Sequence, residues 1–104
     1  MQTYPKKRVE IFIEAPVLNR LLQFLSDQDV TGYTVLPALA GRGDSDRVWS
    51  REGQVGDAGR MVAIVMIIDE AKLDTLFDRL YAMVARQIGI IAVSDCTVVR
   101  GERF

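Results

Sequence analysis

Met61–Ile68 reads Met-Val-Ala-Ile-Val-Met-Ile-Ile, a run without one polar side chain. Arg60 stands before it and Asp69-Glu70 after it, so the run cannot be extended. It falls far short of the ~20 residues that cross a bilayer. Bounded in this way, it predicts a strand with apolar groups on both faces. A sheet with one face in water would alternate polar and apolar positions along such a strand. The sheet this chain builds must therefore be covered on both sides. The segment from Ile90 to Val99 makes the same demand, since Ile90, Ile91, Ala92 and Val93 fill both of its faces.

The surrounding segments indicate what covers one side. Residues 8–14 alternate, with Val9, Ile11 and Ile13 on one face and Arg8, Glu10, Phe12 and Glu14 on the other. That period of two predicts a strand. Ala15-Pro16 interrupts it, and Pro suits a first helical position because its missing N–H would be unbonded there. Leu18, Leu21, Leu22 and Leu25 recur at helical spacing and predict an amphipathic helix ending near Asp29. Thr31-Gly32 breaks the chain, with Gly32 available for the positive φ of a helix exit. Tyr33 to Ala40 predicts a second strand, and Pro37 removes a ladder donor and marks it as an edge. Beyond the apolar run, Asp69 predicts a helix cap through its carboxylate. Leu73, Leu76, Phe77, Leu80 and Val84 form a second apolar stripe, and Gly89 is expected to close that helix in the left-handed conformation.

The resulting order is β-α-β, long loop, β-α-β within a single domain, 1–104. It predicts an α+β fold of the ferredoxin-like split βαβ type (βαββαβ), with an antiparallel four-stranded sheet and both helices on one face. The other face is left bare. At ~25 cal/mol per Å² of apolar area, covering it favours association by many kcal/mol before entropic costs. A homo-oligomer packed through its sheets is expected.

The loop, residues 41–60, changes character. It holds five of the 8 glycines, eight charged residues and the only Trp, with no period. Loops of that length are usually functional or disordered. Gly41-Arg42-Gly43 is its sharpest signal: backbone without side chains can approach a phosphate, and an Arg can fork onto its oxygens. An ordinary flexible loop is the competing reading. The segment is no Walker loop and fails the dinucleotide fingerprint. Its Arg42-Gly43-Asp44 spells an adhesion tripeptide by chance. Arg47, Arg51 and Arg60 add cations that could equally be solvated. Trp49 is either pinned to the body or presented to a partner. Arg100 and Arg103 follow the last strand in a short tail. Asp69 and Glu70 read as helix start, and Asp44 and Asp46 lie on a loop without fixed geometry, so no metal is expected.

Composition excludes several functions. There are 13 Lys+Arg against 14 Asp+Glu, no His and one Cys in 104 residues. Without His there is no Ser-His-Asp triad and no His-ligated metal. Cys96 alone forms neither an internal disulfide nor a zinc knuckle and reads as a small core residue. The balanced charge argues against a nucleic-acid partner. No apolar run follows the charged N-terminus, so a cytoplasmic location is expected.

Gly32-Tyr33-Thr34-Val35, then Gly41-Arg42-Gly43, then the polar loop, the apolar strand, the helix, Gly89-Ile90-Ile91 and the ending Val-Val-Arg-Gly-Glu-Arg-Phe occur in an order that resembles the PII signal-transduction superfamily. The similarity is greatest to its PII-like branch linked to bicarbonate transport and carboxysomes, and spans about residues 7–104. The resemblance implies a homotrimer, adenine nucleotides in clefts between subunits, and a T-loop at about 41–60 that signals carbon or energy status to a transporter or carboxysome-linked protein. It implies nucleotide contacts from Gly32, Tyr33, Thr34, Gly41, Arg42, Gly43, Arg47, Gly89, Ile90, Arg100 and Arg103. Bicarbonate at Arg47 and Arg60 is a further implication, and at the tip of such a loop Trp49 would be the partner anchor. Arg86-Gln87-Ile88-Gly89 is shorter than the corresponding loop of PII proteins and lacks its Lys, which favours ADP or AMP over a triphosphate. No enzymatic activity is implied. The alternatives are a small phosphate-ester or acyl-phosphate hydrolase on the same fold, for which no water-positioning group is evident, and an RNA-binding sheet, which needs more exposed aromatics than Phe12.

Overall fold

Alternation in the N-terminal segment becomes strand β1, Tyr4–Glu14, in a computed structural model that describes residues 1–30, 32–42, 48–50, 60–86 and 89–99. The strand begins earlier than the alternation suggests, because Tyr4 to Lys7 pair with the end of the last strand, Tyr4 opposite Val98. A short 3-10 turn, Ala15–Val17, carries Pro16 in its first positions and leads into helix α1, Leu18–Asp27. Strand β2, Tyr33–Pro37, is shorter than the predicted 33–40. The chain then enters a separate two-stranded ribbon of β3, Ala40–Arg42, and β4, Val48–Ser50, with Gly41 opposite Trp49. Part of the segment that lacked any period is thus paired. Strand β5, Met61–Ile68, helix α2, Glu70–Ala85, and strand β6, Ile90–Val98, complete the chain.

The four-stranded sheet has the order β2-β5-β1-β6 with every neighbouring pair antiparallel. Each βαβ unit therefore holds a strand of the other unit between its own two, which is the predicted ferredoxin-like topology. The apolar octet forms a central strand, and Pro37 ends an edge strand where its missing donor costs no ladder bond.

Val9, Ile11, Ile13, Ile64, Met66 and Ile68 project from one face into a core closed by Leu21 and Leu25 of α1 and Leu73, Leu76, Leu80 and Val84 of α2. Arg79 of α2 stands 5.2 Å over the Phe24 ring of α1, joining the two helices on their outer side. The second face carries Phe12, Ala63, Val65, Ile67, Leu36, Ile90 and Ala92, as the register requires. Leu36 is 49% exposed and Ile90 62%, so this apolar face lies open in the single chain.

Three local devices differ from expectation. Asp69 occupies the helix-start position, but its side chain makes no cap bond and instead accepts from the Lys6 ammonium. Helix α1 exits through Asp29 at φ 61, not through Gly32. The Asp29 N–H bonds Ser26 O and the Val30 N–H bonds Leu25 O, with Val30 and Leu25 both buried. That is a Schellman exit with its apolar contact. Gly89 lies outside α2, which ends at Ala85, and is not left-handed. Its role is steric: a Cβ there would stand 2.8 Å from Val84 Cγ1 and 2.9 Å from the Phe12 carbonyl oxygen.

Candidate functional site

Two backbone bonds hold the feet of the long loop. Ala38 N–H, the first donor after Pro37, bonds Met61 O at 3.0 Å, and Ala15 N–H bonds Arg60 O at 2.8 Å. The loop thus leaves and returns at one end of the sheet, beside the end of β1. Gly89 packs at the same end, against Phe12 and Val84, and delivers Ile90 into the row Ile90–Phe12–Ala63–Leu36. Between the feet, a cleft of about 130 Å³ is lined by Ala15, Pro37, Arg60, Met61 and Val62. Arg60 is therefore placed at the base of the loop.

Gly32, Tyr33 and Thr34 lie elsewhere. Gly32 precedes β2 and Tyr33 and Thr34 begin it, toward the opposite end of the sheet, where Tyr33 pairs with Met66. All three are exposed, and nothing stands within 4 Å of the position a Cβ on Gly32 would take. Strands β2 and β6 are opposite edges, three inter-strand spacings or ~14 Å apart. One chain therefore does not bring Gly32–Thr34 beside Ile90. On the sheet the described candidate residues form two groups, the exposed Gly32–Thr34 at the start of β2 and Arg60 with Gly89–Ile90 at the loop end. Gly43, Arg47, Arg100 and Arg103 lie outside the described residues. Arg42 and Trp49 are placed by their backbones in the β3–β4 ribbon.

A second cleft, about 410 Å³, lies at the end of the sheet away from the loop and is lined in part by Lys6, Lys7, Glu70, Asp95 and Cys96. Its cations are committed. Lys6 pairs with Asp69, and Lys7 pairs with Asp95 and lies 3.8 Å from Glu70. The hydrogen bond from Lys7 to Asp95, with the field of Asp95, Glu70 and Asp74, raises the Lys7 pKa above its ordinary value. Carboxylates equal or outnumber ammoniums here, so the cleft suits no phosphate. It is an ion-pair network tying β1, α2 and β6. Sequence patterning missed it because Lys6, Asp69 and Asp95 are distant along the chain; only the strand register brings them together. Among the described residues, no group of three His, Cys, Asp or Glu side chains could hold a metal ion.

The family model described as nitrogen regulatory protein P-II matches residues 6–103. The chain belongs to the P-II family. No curated protein matches it. Among solved structures, the PII-like protein CPII of Thiomonas intermedia, bound to ADP, AMP and bicarbonate, superposes with a TM-score of 0.87 at 22% identity, covering 99% of this chain and 96% of that one. CPII bound to ADP and bicarbonate gives 0.81 at 25% identity, covering 99% and 97%. A Thermus thermophilus protein assigned to PII-like signalling gives 0.80 at 27% identity, covering 100% and 99%. The P-II assignment agrees with the ferredoxin-like sheet, and no helix among the described residues is long and apolar enough to cross a membrane.

Proposed function

We propose that this P-II protein is a trimeric, non-enzymatic sensor of adenine nucleotides in the cytoplasm, with ADP or AMP held in clefts between subunits. The carrying observation is the separation of the candidate residues of the sheet into two groups toward its opposite ends. A cyclic assembly joins unlike surfaces of neighbouring copies, so one copy's loop base and Gly89–Ile90 can meet the next copy's Gly32–Thr34. The open apolar face supplies the reason to assemble. The likeness to CPII bound to ADP and bicarbonate supports the ligand class.

Arg42 is assigned to the phosphates, with Gly41 and Gly43 allowing close backbone approach. Arg47 of the loop and Arg100 and Arg103 of the tail are further cationic contacts. Bicarbonate, a small planar anion, is assigned to the base of the loop, with Arg60 and Arg47 as donors. Residues 41–60 act as the T-loop that reports the bound ligand to a protein partner, with Trp49 as anchor. Inorganic carbon or adenylate status is the signal.

Calorimetric titration tests this reading. ADP and AMP should bind with micromolar to millimolar affinity. A charge-assisted Arg–phosphate contact is worth ~1.5–3 kcal/mol, so Arg42→Ala should weaken ADP about 10- to 100-fold. Unchanged ADP affinity in Arg42→Ala, Arg100→Ala and Arg103→Ala alike would reject the site. A stable monomer by light scattering would reject the assembly.

A further inference from the structure

Arg8 and Glu10 stand on the open face of β1, alternating with the fully buried Val9 and Ile11. The register surrounds them with Ile67 and Ser94 beside Arg8, and Val65 and Ala92 beside Glu10. They are the charged residues of the middle rows; Lys6, bound to Asp69, and Glu14 lie at the two ends of the strand. Arg8 Nε donates to Glu10 Oε1 at 2.8 Å, and the two side chains are 43% and 33% exposed. That bond uses one of the five guanidinium donors and one carboxylate oxygen. Neither residue has a further side-chain partner among the described residues.

An ion pair carried into an apolar interface is costly unless its remaining donors and acceptors are satisfied. A cyclic interface is head-to-tail and joins unlike surfaces, so it allows the free carboxylate oxygen of one copy to meet the free guanidinium edge of the next. We infer that, in the trimer proposed above, Arg8 of each subunit bridges its own Glu10 and the Glu10 of the next. These contacts close a ring of alternating charge that selects copies of this chain as partners. The inference rests on the trimeric reading. The planar fork of Arg suits two carboxylates at once, and like charges across such an interface repel strongly. The ring therefore rejects a sheet that carries the right apolar pattern and the wrong charges.

Full-length chains carrying charge reversals test it. Arg8→Glu alone, or Glu10→Arg alone, should raise the dissociation concentration of the trimer roughly 100-fold or more at low salt. The double variant Arg8→Glu/Glu10→Arg should trimerise like the wild type. Mixed with differently tagged wild-type chain and allowed to exchange, it should give two pure populations by native mass spectrometry. Statistical mixing of the double variant with wild type would overturn the ring, as would single reversals that leave dissociation unchanged. If a single variant fails to fold by circular dichroism, the mixing experiment still decides. A wild-type chain that is monomeric would instead sink the trimeric reading itself.

Discussion

Asp29 is the residue where local backbone cost is most visible. It takes φ 61 so that Val30 can turn back onto Leu25. The left-handed region costs a side-chain-bearing residue ~1–2 kcal/mol, and Gly escapes this at an entropic cost of ~0.5–1 kcal/mol. Asp29→Gly should therefore stabilise the chain by about 0.5–1 kcal/mol in urea unfolding. Gly89 is the opposite case, with its Cβ position blocked by a backbone oxygen and by Val84. Gly89→Ala should destabilise by ~1–3 kcal/mol, the range for overpacking, read as a lower denaturation midpoint at unchanged slope. Sequence reading assigned the left-handed role to glycines because glycine adopts it at least cost. Asp tolerates that conformation too, and only the hydrogen bonds around Val30 reveal which residue carries it. Gly89 is required for contact distance, which no local pattern encodes.

At the scale of elements, the ion-pair network at the start of β1 makes alkaline stability depend on Lys7. Its pKa is raised in the folded chain, first through the bond to Asp95. The folded state holds the proton more tightly than the unfolded state. The resulting stabilisation is complete below the ordinary lysine value of 10.5 and disappears as pH climbs through the higher folded value. The melting temperature should fall over that window, and Lys7→Met should flatten the fall. The long elements were legible because burial imposes a period: 0% exposure at Val9, Ile11 and Ile13 is the alternation of β1 made physical. The β3–β4 ribbon was not legible, since three-residue strands show no period and their pairing is non-local. The Asp69 side chain was misread for a related reason. A cap is a local expectation, whereas Lys6 reaches Asp69 through the β1–β5 register.

For the whole molecule, the order of elements and the two-sided apolar strands made both the fold and the open apolar face of the sheet legible. The candidate contacts at Gly32–Thr34 and Gly89–Ile90 were legible as positions, but their separation was not, because strand order is a property of the folded sheet. That separation has a genetic consequence. If every cleft borrows one wall from each of two chains, a defect in one wall can be rescued by a chain defective in the other. Arg42→Ala impairs the loop-base wall; Gly32→Phe, at a position where nothing described crowds an added Cβ, obstructs the other. Each homotrimer should bind ADP poorly. Co-expressed in equal amounts and mixing freely, the two should restore about a quarter of the clefts, those whose two walls both come from unmutated segments. Recovery of ADP binding in the mixture, read by calorimetry, is the expected complementation. Two alleles that each fail alone would then support one another in the same cell.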